Sequence, residues 1–215
     1  MAPKLGRIEK PSVERFRRGR KLFCVPLIPE LRGGDTEKGL QERVSQYWKQ
    51  AIEQVDNLEK VGKITSIYVE SIASSGDSAT EAMKQMSEQC YRLVEAKREH
   101  GGRLEVVENS ETLDEYMDWS MCLSVVGRSQ KVVKKVVGFH EKVAKKRLEQ
   151  IAKKIDGTLE DDEAGLLIMA DESRIQLQQH LPSDIQIFLV HPPAFNDVQS
   201  WFREAMMSQI RRKKE

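Results

Sequence analysis

The chain has 215 residues, 39% of them hydrophobic and 32% charged, with 35 basic side chains against 34 acidic ones and a formal net charge of +1. A chain of this length buries roughly 70% of the surface its unfolded form exposes, so one large domain or two small ones can stand without disulfide or metal staples. Disorder of the whole chain is excluded, and any attraction to nucleic acid or anionic lipid has to come from local clustering of charge.

Residues 1–20 are polar, basic and without hydrophobic periodicity, and Arg15 to Lys21 alone hold four arginines and a lysine, which is the composition of a flexible arm or a loosely docked segment. Leu22-Phe23-Cys24-Val25 and Leu27-Ile28, bounded by Pro29 and Gly33-Gly34, predict a buried strand leaving into a loop. From Glu37 to Val61 the positions Leu40, Val44, Tyr47, Trp48, Ile52, Val55 and Leu58 recur at steps of three and four, a helix closed by Gly62. Ile64 to Ile72 alternates as a strand, and Ser78 with Glu81 has the capping-box spacing that opens a helix to Glu99, ended by Gly101-Gly102.

Leu104 to Val107 predicts a third strand, and Thr112 with Glu115 opens a helix to Val126. A longer helix is expected from Ser129 to Ile155, then an apolar strand from Gly165 to Met169 and a short edge strand from Arg174 to Leu177. Ile185 to Val190 is another strand, stopped by Pro192-Pro193, and Val198, Trp201, Phe202, Ala205 and Met206 mark one face of a last helix. Strands separated by helices of crossover length predict an α/β fold with a mixed, mostly parallel sheet and helices on both faces. The chain then reads as a basic arm (1–20), an α/β half (21–126) and a long helix with a second α/β half (127–215), the two halves separate or forming one continuous domain.

The longest apolar run, Leu22 to Ile28, contains Pro26 and falls far below the roughly 20 residues of a membrane span. The basic start lacks the apolar core of a secretory signal, so a cytoplasmic protein without a membrane partner is expected. Cys24, Cys90 and Cys122 are widely spaced and show no CxxC, and His100, His140, His180 and His191 fall singly, so neither a disulfide framework nor a metal-ligand spacing is present. Gly62-Lys63-Ile64-Thr65 resembles the tail of a phosphate loop, but Asn57 stands where the first glycine belongs and Lys63 precedes a strand. GxGxxG, GxSxG and kinase signatures are absent, and no cofactor is expected.

Two constellations remain. Glu70, Asp77 and Glu108 collect where strands end, the usual ligand crevice of a parallel sheet, and could serve as cation ligands or as acid and base in a metal-assisted hydrolase. Acids at helix starts are equally ordinary dipole partners. Stepping the long helix by 100° per residue places Arg128, Lys131, Lys135, Lys142, Lys146 and Lys153 within an arc of about 60° and a length of about 38 Å. Val133, Val136, Val137, Val143, Ala144 and Ile151 lie on the far side, so this basic stripe should face solvent, as a phosphate-contacting surface must. Glu149 interrupts it, and no aromatic residue falls within it.

One order of features resembles the archaeo-eukaryotic peptide-chain release factors and pelota-like rescue factors, with their divergent bacterial relatives. A strand from Phe23 to Ile28 leads into Arg32-Gly33-Gly34-Asp35, a charged helix, then Gly62-Lys63 and a strand, as a Gly-Gly-Gln loop and its flanks do in that family. Glu163 to Met169 looks like the approach to the central strand of the family's third domain. The resemblance spans 22–90 and 145–192, lacks the decoding domain and has Asp35 in place of the glutamine, so it implies a ribosome- or tRNA-associated role without peptidyl-tRNA hydrolysis. The leading expectation is a non-enzymatic RNA- or ribosome-associated factor; a metal-assisted hydrolase and a self-associating scaffold, hence a homo-oligomer, are the alternatives.

Overall fold

In the computed structural model, which describes residues 18–28 and 37–212, the first strand, β1 (Lys21–Pro26), is buried along its whole length. Phe23 and Val25 join one apolar cluster while Leu22 and Cys24 join another. A strand that is apolar on both faces needs cover on both, and the rest of the chain supplies it. After β1 come α1 (Glu37–Leu58), β2 (Ile64–Val69), α2 (Gly76–Met86), α3 (Glu88–Glu99), β3 (Arg103–Glu105) and α4 (Ser110–Val125). Then follow α5 (Gln130–Thr158), β4 (Ala164–Met169), α6 (Asp171–Leu177), β5 (Gln186–Leu189) and α7 (Pro193–Arg212).

The fold is α/β, with a five-stranded sheet in the order β3-β2-β4-β1-β5 and seven helices. Every pairing is parallel, so the sheet is not mixed. Arg174 to Leu177, expected as an edge strand, belongs to α6: Asp171 and Glu172 sit in its first turn and Arg174 pairs back to Asp171 at 2.8 Å. Buried Leu177 beside exposed Ile175 also fits the turn of a helix better than a half-covered strand.

The helices divide between the faces. Tyr47, Trp48, Ala51 and Val55 of α1, Met83 of α2, Leu93 of α3 and Phe195 and Val198 of α7 cover the face that carries Phe23, Ile67 and Leu166. Leu148, Ile151, Ala152 and Ile155 of α5 and Leu177 of α6 cover the face that carries Leu22, Tyr68 and Leu167. The chain first runs from β1 to β2 and on to β3 at one edge, then returns through α5 to place β4 between β1 and β2, with β5 beyond β1. Strands from both sides of residue 127 therefore interleave in one sheet. A reversal of this kind leaves a crevice at the carboxyl ends of the strands.

The helix expected from Ser78 to Glu99 is two helices. Ser87 is extended at φ −164°, its N–H closes α2 on the Met83 carbonyl, and its side chain accepts from Cys90 N to open α3. The cap of α4 is Asn109, one turn ahead of the expected Thr112, and its side chain accepts from Thr112 N at 2.9 Å. Residues 18–20, expected to belong to the flexible arm, are fixed: Arg20 pairs with Asp156 at 2.8 Å and Asp184 at 2.7 Å, and Gly19 N donates to Asp162 at 2.7 Å. Residues 1–17 of the arm and Gly33-Gly34-Asp35 lie outside the described residues.

Gly165 in β4 allows the close approach of its neighbours. A Cβ there would stand 2.8 Å from the Tyr68 ring and 3.1 Å from Leu22. Gly165→Ala should cost about 1–3 kcal/mol by overpacking, seen as a lower midpoint in urea with an unchanged slope. A midpoint equal to that of the parent would contradict this packing.

Candidate nucleic-acid interface and strand-end cleft

Glu70 follows β2 and Glu108 follows β3, so the parallel sheet delivers both carboxylates to the same end. They meet there on Arg147, which α5 projects from its buried face. Arg147 Nε donates to Glu108 Oε2 at 2.9 Å and Nη2 to Glu70 Oε1 at 3.1 Å, with Nη2 also bonded to Glu108 Oε1. The remaining oxygen valences go to backbone: Ser71 N donates to Glu108 at 2.9 Å and Ala170 N to Glu70 at 2.6 Å. The Tyr116 ring of α4 lies 4.8 Å from the guanidinium carbon. Burial works against the Arg147 charge, and the hydrogen bonds and charges of Glu108 and Glu70 outweigh it, so its pKa is held above the ordinary guanidinium value.

This arrangement is a closed structural triad. Asp77 lies apart from it, exposed in the first turn of α2, where an acid favours the helix dipole. Among the described residues no group of three or more His, Cys, Asp or Glu side chains is placed to hold a metal ion, so the three carboxylates do not form the expected cation site. Beside the triad lies a cleft of about 480 Å³ lined by Glu70 and Arg147, by Leu27 and Ile28, and by Phe195 and Phe202 of α7. Among the described residues its lining holds one cation, Arg147, already neutralised by two carboxylates, with Asp171 and Glu172 adding further negative charge. Nucleophilic thiol chemistry finds no support in the core either, since burial pushes the Cys24 and Cys90 thiols up to about 12.

Arg147 was absent from the sequence-level candidates. Its signal was a charged residue on the helix face that also carries Val136, Val143 and Ile151, where only a paired charge is tolerated.

The opposite side of α5 carries the basic stripe. Lys131, Lys135, Lys142, Lys146 and Lys153 are all exposed, and none forms an ion pair with another described residue. Arg128 is exposed as well but precedes the helix, which begins after its N-cap Ser129. Glu149, the acid within the stripe, faces Lys145 at 3.9 Å. Between Lys135 and Lys142 the row of cations is interrupted by Gly138 and Phe139. Phe139 is 49% exposed and stacks on Trp119 of α4, with centroids 4.8 Å apart and planes 19° from parallel. No aromatic residue lies within the stripe itself, but α4 packs beside α5 and Phe139 stands on the stripe's flank. His140, one residue on, faces α4, bonded to Ser120 at 3.1 Å and set against the Tyr116 ring. The backbone of Arg211 and Arg212 ends α7, and the basic residues Lys213 and Lys214 that follow lie outside the described residues.

No helix among the described residues is long and apolar enough to cross a membrane. Comparison with protein-family models, with curated proteins and with solved structures finds no match to this chain.

Removing one partner of a buried triad leaves an uncompensated charge, so Arg147→Ala should lose about 3–5 kcal/mol of stability in urea unfolding. Arg147→Met combined with Glu70→Gln and Glu108→Gln should lose less than Arg147→Ala alone, because no charge is stranded. A triple variant at least as damaged as the single one would contradict the charge argument.

Proposed function

We propose that the protein is a non-enzymatic, RNA- or ribosome-associated factor that grips phosphate backbone through the stripe of α5. The observation that carries this reading is that Arg128, just ahead of α5, and Lys131, Lys135, Lys142, Lys146 and Lys153, over about 33 Å of one side of that helix, stay exposed and without an acidic partner among the described residues. In a chain whose net charge is +1, such a row concentrates positive potential on one surface. Each lysine that contacts a phosphate releases condensed counterions, which makes the attraction entropic and salt-sensitive. The buried side of the same helix is fixed to the sheet by Leu148, Ile151 and Ile155 beneath Lys146 and Lys153, while Lys131, Lys135 and Lys142 stand on the part of α5 that packs against α4. The reading rests on α5 and not on the release-factor resemblance.

The closed Arg147 triad offers no support for a metal-assisted hydrolase. Self-association is the second reading, favoured by Met117, Met121 and Val125 of α4, which are 55%, 67% and 78% exposed on a helix that also bears Glu111, Asp114, Glu115 and Asp118. Mass measured across a dilution series separates the two: a constant monomer mass removes the scaffold reading.

Reversing charge at Lys135, Lys142 and Lys146 together should weaken binding to total RNA or to ribosomes by a hundredfold or more, by order of magnitude from the loss of several phosphate contacts. All three side chains are exposed, so the variant should keep the parent's thermal midpoint within the small range of surface substitutions. Unchanged RNA affinity in a folded variant would refute the proposal.

A further inference from the structure

We infer that the stripe takes single-stranded nucleic acid, with an unpaired base stacking on Phe139; the inference rests on the RNA-binding reading of α5 and specifies its ligand. Phe139 lies four residues after Lys135 and three before Lys142, so on a helix the two lysines flank the ring along one side. Trp119 covers one face of the phenyl ring at 4.8 Å, and the 49% exposure leaves the remainder of the ring to solvent. A large aromatic ring left this open beside cations is the combination that single-strand binders use, cations following the backbone and an aromatic plane holding a base. The Trp119 stack fixes the orientation of the ring before any ligand arrives, which lowers the ordering cost of binding.

Gly138 points the same way. It sits inside α5, where glycine disfavours the helix relative to alanine, and a Cβ built there meets nothing within 4 Å. Packing within the protein therefore does not require glycine at this position. On the 100° helical step Gly138 falls at the edge of the stripe beside Lys131, across the lysines from Phe139, so its missing side chain leaves bare backbone on the path of a strand that crosses the stripe from the ring. A double helix cannot use the ring, because its bases are already stacked on each other and its outer surface presents phosphates.

The test compares the full chain with Phe139→Leu, Gly138→Ala and the Lys135, Lys142 and Lys146 charge reversal. Each is titrated against a fluorescein-labelled 20-nucleotide uridine-rich RNA and against a 20-base-pair RNA duplex at one salt concentration. Phe139→Leu should weaken the single strand by about tenfold, within the range measured for loss of one base-aromatic stack, and change duplex binding less than about twofold. Gly138→Ala, which strengthens the helix and so keeps the protein folded, should weaken the single strand in the same direction. Equal losses on both RNAs, or no loss on either, would overturn the single-strand inference while leaving the phosphate stripe in place. Absence of binding to both RNAs by the unmodified chain would overturn the inference and the RNA reading together. If Phe139→Leu instead changes the measured mass and leaves RNA affinity alone, the aromatic pair belongs to a self-contact and the inference also fails.

Discussion

The buried ion triad of Arg147 with Glu70 and Glu108 is the constraint on which the rest of this structure depends. Three strand ends meet there: Glu70 and Ser71 after β2, Glu108 after β3 and Ala170 after β4 all bond within it. A charge so deeply enclosed is tolerable only when fully paired, and here each carboxylate receives both the guanidinium and a backbone N–H. The triad therefore sets the rotation of α5 about its own axis. Once Arg147 points to the sheet, the residues some 100° or more around the helix, the lysines of the stripe, are turned to water.

This coupling links stability to the surface on which function is proposed. The carboxyl-terminal half of α5 covers the second face of the sheet through Leu148, Ile151, Ala152 and Ile155. Its first half has Val136 as the one buried residue between Gln130 and Lys142, and it leans on α4, which itself buries only Thr112. α4 and the start of α5 thus form a pair of helices held by Tyr116, Trp119, Phe139 and His140 and not by a deep core. An aromatic seam between two helices of opposite charge is an economical way to present Phe139 next to lysines.

Most of the fold was legible in the sequence because its signals are local. The apolar runs of β1 and β4 and the three-and-four spacing of α1 survive in the structure with ends displaced by a few residues, since burial on both faces of a parallel sheet demands continuous apolar strands. Arg174 to Leu177 was misread because four residues cannot separate a strand from a helical turn when the deciding contact is the Arg174–Asp171 pair. The break at Ser87 was missed because its cap bonds depend on an extended residue that sequence periodicity does not reveal. At the site the exposed lysines were readable from angle alone. The meeting of Glu70 with Glu108 through Arg147 was not, because it joins residues from three separate elements, and neither was the placing of Phe139 against Trp119, which depends on how α4 lies along α5.

The central claim is that phosphate contacts along α5 hold RNA, and its most direct test is the affinity of the full chain for total RNA measured across a series of salt concentrations. Six contacts to single-stranded backbone predict that the logarithm of the affinity falls against the logarithm of salt with a slope of about −4. A slope near zero, or no binding even at the lowest salt, would make the stripe an ordinary solvated helix side and contradict the account.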